Sequence, residues 1–311
     1  MPTLHRKLLG LLPRIGVRVL DLGSGAAVVY RRGERTRVPV GPRADLVLRG
    51  TAGASWKDVA LGDSGARLLL DEKAAAVDER RFQVAAAAYL CGQHVAALLE
   101  RCEVNCVFDV GANSGQYGRQ LRRLGYRGRI VSFEPTAEAF GKLQKAAEGD
   151  PEWWVHRIGL GREDATQSIN VGWNTMNSLL QPSDYGKDRY KRFAKSRTED
   201  IEIRRLDGMM DKALAGITDP RPYLKMDTQG YDLEVFAGAG ERVAAFVGMQ
   251  SEVATLRLYE GSPRMAESIA VYEGSGFEIT GMYPVSREPA TGRVVEFDCV
   301  MVRADAVPRS G

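Results

Sequence analysis

The chain has 311 residues, 44% of them hydrophobic and 27% charged, with a formal net charge of +3. That length holds one large domain, or one domain with a substantial extension, and the balance excludes a disordered chain or a bundle of membrane spans. A charge so close to neutrality makes no case for a nucleic-acid partner, and none is expected.

At the N-terminus His5, Arg6 and Lys7 precede a short apolar run from Leu8 to Leu12, cut by Pro13. The run is too short for a signal-peptide core or a membrane span, so a simple terminal helix is expected, with at most peripheral contact to an anionic membrane surface. Residues 16–73 read as short β-type runs (GVRVLDLG, AAVVYRR, TRVPV, ADLVLRG and ARLLLDE) separated by glycine-rich turns. The stretch VLDLGSGAA at 19–27 has the look of a ligand-binding glycine turn. It leads into a second strand rather than a helix, which assigns it to a β-hairpin.

Residues 81–104 change character, being rich in alanine with apolar residues at helical spacing, and are read as a linking helix. The expected organisation is a β-rich extension over 1–80, that helix, and a main domain over 105–311. Cys91, Cys102, Cys106 and Cys299 show no CxxC spacing and no neighbouring histidine. They are read as buried reduced thiols of a cytoplasmic protein.

From Asn105 strands and helices alternate. NCVFDVG, GRIVSFEP, EWWVHRIGLG, IEIRRLD, PYLKMD and FVGMQSE read as strands, with helices between most of them. Alternation of this kind implies a parallel sheet covered on both faces. The last two strands, GFEITGMY and EFDCVMVR, have no helix between them, so an antiparallel end is expected.

VFDVGANSGQY at 107–117 is a buried strand, a tight turn and the start of a helix. Ligands of such sheets bind beyond the carboxyl ends of the strands, which makes Asp109, Gly111, Ala112, Asn113, Gly115 and Gln116 candidate cofactor residues. The turn lacks the middle glycine of a dinucleotide fingerprint, which opposes a nicotinamide-dependent reductase, and nothing in it favours a pyrophosphate over a nucleoside with an amino-acid tail. The next strand ends in Glu134, followed by Pro135, and a carboxylate there can accept hydrogen bonds from ribose hydroxyls.

Two further carboxylates, Asp227 and Glu252, end adjacent strands and are expected to converge over the cofactor rim. They suit a general base with an orienter; alternatively they could hold a divalent cation, the less favoured arrangement. Lys225 shares a strand face with Asp227 and is either its charge partner or a packed structural lysine. His156, Trp153 and Trp154 are read as core or adenine-flanking, and Asp207 as a helix cap.

Taken in order, FDVGANSGQYG, VSFEP, IGLG, RRLDGMM and LKMDTQGYDLEVFAGA resemble the FkbM-type methyltransferases over residues 105–303. The resemblance implies a Rossmann-like class I methyltransferase fold with a seven-stranded, mostly parallel α/β sheet. It implies transfer of a methyl group from S-adenosylmethionine to a hydroxyl of a sugar, glycolipid or polyketide-like natural product. It adds Gly159, Leu160 and Ser178 to the cofactor residues, with Asn177 beside them, and its motif includes Lys225 and Asp227 of the catalytic set, which Glu252 completes by its strand-end position alone. The segment 172–200, rich in Asn, Tyr, Lys and Arg, looks like an acceptor-binding lid. It carries Lys187, Arg189, Lys191, Arg192, Lys195 and Arg197, which either meet an anionic acceptor or form a solvated face. The rival reading is a catalytically silent binding or scaffold protein with the same fold. The extension before residue 80 lies outside the resemblance and could serve acceptor recognition or a homodimer.

Overall fold

The computed structural model describes six strands between residues 17 and 71, and then residues 79–306 apart from 196 and 289. The chain divides into two compact units, residues 1–82 and 83–311. The terminal helix expected at residues 5–14 lies outside the described residues.

In the first unit β1 (Val17–Gly23) pairs antiparallel with β2 (Ala26–Arg31), β3 (Thr36–Gly41) with β4 (Ala44–Leu48), and β5 (Trp56–Ala60) with β6 (Arg67–Asp71). The glycine stretch at 19–27 therefore belongs to a hairpin, as its flanking sequence indicates. Strand β5 was hidden in the sequence, its Trp-Lys-Asp-Val run offering no clear alternation.

The helix α1 (Glu79–Arg101) starts and ends two to three residues ahead of its expected bounds. Then follow β7 (Cys106–Val110), α2 (Gln116–Arg123), β8 (Arg129–Phe133), α3 (Ala137–Ala147) and β9 (Trp153–His156). An inserted region holds β10 (Gly159–Gly161), β11 (Ala165–Val171), α4 (Asp184–Arg189) and β12 (Arg197–Arg205). The domain closes with α5 (Leu206–Leu214), β13 (Pro222–Met226), α6 (Asp232–Gly238), β14 (Gly248–Ala254), α7 (Met265–Gly274), β15 (Phe277–Arg287) and β16 (Val294–Arg303).

The central sheet has seven strands in the order β15-β16-β14-β13-β7-β8-β9. Strands β14, β13, β7, β8 and β9 run parallel, while β16 is antiparallel to both its neighbours, which is the closing arrangement the sequence implies. Period-2 alternation explains how both faces are buried. Along β7, Cys106, Phe108 and Val110 pack with α5, α6 and α7 through Leu206, Met210, Val235, Phe236 and Tyr272. Val107, between them, packs with α1, α2 and α3 through Val95, Leu99, Leu121 and Leu143. Each such large apolar side chain contributes about 1.5–3 kcal/mol by leaving water.

One expected strand is two. EWWVHRIGLG breaks at Arg157 and Ile158: β9 joins the main sheet, and β10 pairs with β12 in a separate sheet ordered β10-β12-β11. Gly159 and Gly161 make this pairing: a Cβ on either would come within 2.7 and 2.9 Å of Ile203, so only bare backbone lies that close. Among the described residues no helix is long and apolar enough to cross a membrane.

Candidate active site

The turn after β7 is fixed to β8 rather than to itself alone. The N–H groups of Gly111 and Ala112 both donate to the Phe133 carbonyl, at 3.1 and 3.0 Å. Asn113, at φ +48, donates its backbone N–H to Glu134 Oε2 at 3.0 Å. Gly111 sits at φ +75, and a Cβ there would lie 2.0 Å from the Asp227 carbonyl oxygen. Only glycine allows the cofactor turn and the strand end bearing Asp227 to touch.

This contact opens into a cavity of about 300 Å³. Gly111, Ala112, Asn113, Gln116, Glu134, Pro135, Gly159, Leu160, Lys225 and Asp227 all line it, so most of the expected residues meet at one place. The arrangement fits a nucleoside with an amino-acid tail. Glu134 Oε1 already accepts from the Thr136 N–H and hydroxyl, leaving Oε2, which holds Asn113, with a spare lone pair for a sugar hydroxyl. Burial raises the Glu134 carboxyl, an effect that its hydrogen bonds from Thr136 and Asn113 oppose.

Asp109 does not reach the cavity. It is fully buried, accepts from Ser132 Oγ at 3.0 Å and faces Lys225 Nζ at 3.2 Å. Lys225 Nζ also lies 3.7 Å from Asp227 Oδ2 and 5.3 Å from the centre of the Tyr117 ring. Burial alone would neutralise this lysine, but Asp109 and Asp227 raise its pKa further than burial lowers it, and it stays charged. Lys225 is thus a buried counter-ion tying β7 to the carboxylate at the end of β13.

Asp227 and Glu252 converge only through an intermediary. Gln229, at φ +54, donates from Nε2 to Asp227 Oδ1 at 2.9 Å and to Glu252 Oε2 at 3.0 Å. An amide donor therefore stands between the two carboxylates. Among the described residues no group of three or more His, Cys, Asp or Glu side chains is arranged to hold a metal ion. Glu252 lines a second, much smaller cavity with Asp232 and Glu296. Burial pushes its carboxyl well above the usual range, and Glu296 and Asp227 add to the effect. Burial, reinforced by Asp227, also lifts Glu296 to about 7 and Asp298 to about 6.

Ser178 lies near the cofactor turn's partner but not in the cavity. Its hydroxyl donates to the Gln229 carbonyl at 2.8 Å, while its neighbours Asn177 and Leu179 line the wall. Gly115 caps α2 from outside the cavity. His156 stacks on the Phe133 ring at 5.4 Å, Trp153 donates to Ser132, and Trp154 carries Arg129 over its ring. Asp207 sits in the first turn of α5 rather than at its cap, paired with Arg205. All four cysteines are free and buried. None of the basic residues of 187–197 lines the cavity. Gln229, Gln250 and Asp298 line the cavity without any signal in their sequence, because each lies inside an ordinary-looking strand or loop.

The sequence profile of the Methyltransferase FkbM domain matches residues 109–278. The 2-O-methyltransferase NoeI of Sinorhizobium fredii is 23% identical over 201 residues, covering 62% of this chain and 79% of that protein. Methyltransferase sdnD of Sordaria araneosa is 25% identical over 199 residues, covering 56% of this chain and 74% of that protein. Among solved structures, magnesium protoporphyrin IX methyltransferase of Synechocystis PCC 6803 superposes with a TM-score of 0.38 at 13% identity, over 73% of this chain and 85% of that one.

Proposed function

Because this chain belongs to the FkbM methyltransferase family, a group of S-adenosylmethionine-dependent enzymes, we propose that it methylates a hydroxyl oxygen of a sugar, glycolipid or polyketide-like acceptor. One observation carries the reading. Asp227, a carboxylate with 41% of its side chain exposed, lines the same cavity as the Gly111 turn and Glu134, and touches that turn through its own carbonyl. An oxygen nucleophile needs a proton acceptor beside the methyl donor, and this is the carboxylate so placed.

When bound, S-adenosylmethionine supplies a methyl group on a sulfonium, a good leaving group that needs no acid. The protein's part is alignment, desolvation and proton removal. Glu134 and the Asn113 turn hold the nucleoside end. The first turn of α2 offers backbone N–H groups suited to a carboxylate. Lys225 and Gln229 hold Asp227 between them, the first by charge and the second by a hydrogen bond, so the carboxylate is aimed before the acceptor arrives. Asp227 accepts the hydroxyl proton as the oxygen attacks.

Calorimetry with S-adenosylhomocysteine tests the cofactor half; absence of binding at high micromolar concentration rejects it. The chemical half is tested by transfer of labelled methyl to a panel of glycosides and hydroxylated natural products. Asp227→Asn should lower turnover by about 10²–10⁴-fold while leaving S-adenosylhomocysteine affinity unchanged. Full turnover in that variant would assign the base elsewhere.

A further inference from the structure

The cavity does not end at the residues a nucleoside needs. It continues between α1 and α2, where Cys91, Gly92 and Val95 face Leu121 and Leu124, with Ala88 at its outer end. This extension is walled without charge. Cys91, Val95 and Leu121 are 5%, 2% and 1% exposed, and burial, with Asp298 adding to it, keeps the Cys91 thiol protonated.

Packing makes the extension unusual. Two helices meeting on a sheet ordinarily close the space between them with large side chains, because every unfilled contact loses dispersion energy. Here α1 presents Ala88, Cys91 and Gly92 on that side, the smallest apolar side chains available. Gln120 lies over Gly92, where a Cβ would come within 2.4 Å of its Nε2, so the wall at that point is a neutral amide rather than a gap. The inner end of the space is polar instead: Gln250 and Asp298 line it beside Asp227. Ala88 itself is exposed, so the slot opens to solvent at that residue.

An uncharged slot that leads from a carboxylate at one end to solvent beside Ala88 at the other matches an amphiphile. We propose that the space between α1 and α2 is an acceptor subsite for an alkyl or acyl arm, so that the acceptor is a hydroxylated head carrying a hydrophobic chain rather than a free sugar. The inference rests on the methyl-transfer reading above and narrows its substrate class. The head lies against Asp227, Gln250 and Asp298, and the arm runs out along Gly92 towards Ala88.

The test uses the full chain saturated with S-adenosylhomocysteine and two probes kept below micelle-forming concentration, n-octyl β-D-glucoside and methyl β-D-glucoside. Calorimetry should show the octyl compound binding at least about ten-fold more tightly, the effect of burying two or more methylenes. Methyl resonances of Val95, Leu121 and Leu124 should move with the octyl compound alone. Gly92→Leu drives the Gln120 side chain into the slot and should abolish the octyl advantage with S-adenosylhomocysteine affinity retained. Ala88→Trp, at an exposed position where folding is safe, should do the same at the outer end. Equal affinity for the two glucosides, or an octyl advantage that survives Ala88→Trp, overturns the proposal. So do methyl shifts already completed by S-adenosylhomocysteine, since the cofactor would then fill the slot. Failure of S-adenosylhomocysteine to bind at all is a different result: it removes the methyl-transfer reading and the subsite with it.

Discussion

Replacing Lys225 by methionine isolates what the buried lysine does. Its side chain is 8% exposed and that of Asp109 is fully buried, with 3.2 Å between Nζ and Oδ1. Removing the cation leaves a carboxylate in the core whose one remaining hydrogen-bond donor is Ser132 Oγ. Breaking a buried pair from one side costs about 3–5 kcal/mol, because the surviving charge is uncompensated. At about 2–4 °C per kcal/mol for a unit of this size, Tm should fall by roughly 6–20 °C. The same principle fixes the control. Removing both charges, in Lys225→Met with Asp109→Asn, eliminates the stranded carboxylate and should recover at least half of the loss, a coupling of about 2 kcal/mol or more. Thermal unfolding of the wild type, the two single variants and the double variant completes the cycle. A Lys225→Met protein as stable as the wild type but without turnover would refute the counter-ion role and return this lysine to the catalytic set.

Glu134→Gln keeps the shape of the side chain but removes its charge, and should weaken S-adenosylhomocysteine binding by roughly 10–150-fold, the worth of a hydrogen bond to a charged acceptor. Its amide nitrogen cannot accept from the Asn113 N–H, so stability should fall as well, by about 1–3 kcal/mol. Calorimetry reads the binding directly, and unchanged affinity would place the sugar elsewhere. Gly111→Ala combines a left-handed φ with a Cβ that collides with the Asp227 carbonyl; about 2–5 kcal/mol of stability should be lost, together with cofactor affinity, in a denaturant titration. Stability should also respond to pH through Asp298 and Glu296, raised by burial to about 6 and about 7. Both keep protons in the folded state that the unfolded chain has already released, so stability is greatest below the unfolded pKa values near 4 and declines as pH rises towards 7. Glu296→Gln should flatten that decline in urea midpoints measured from pH 5 to 8, and an unaltered slope would show that Glu296 ionises normally.

The parts of the site legible in the sequence are those that backbone geometry demands. A turn that must touch a neighbouring strand end needs Gly111, and a carboxylate at a strand end, Glu134, is visible by its position alone. A parallel sheet with an antiparallel end followed from alternation and from the missing helix before β16. What stayed hidden depends on contacts between distant segments. Asp109 reads as a ligand-facing residue until Lys225 is seen above it, and Glu252 reads as a partner of Asp227 until Gln229 is found between them. The split of β9 from β10 has its cause in Ile203, more than forty residues downstream. The face of α1 that walls the cavity could not be recognised at all, since an alanine-rich helix looks the same whether its small side chains fill a contact or leave a gap.

The wall formed by Thr175, Asn177 and Leu179 is held by Ser178 on the Gln229 carbonyl and on the backbone of Asn170, by the Trp173 N–H on Asn177, and by Tyr259, whose hydroxyl lies 2.8 Å from the Met176 carbonyl. None of these contacts involves a formal charge. If this strap must lift before spent cofactor departs, the rate of product exchange is governed by neutral contacts, and ionic strength should leave it untouched.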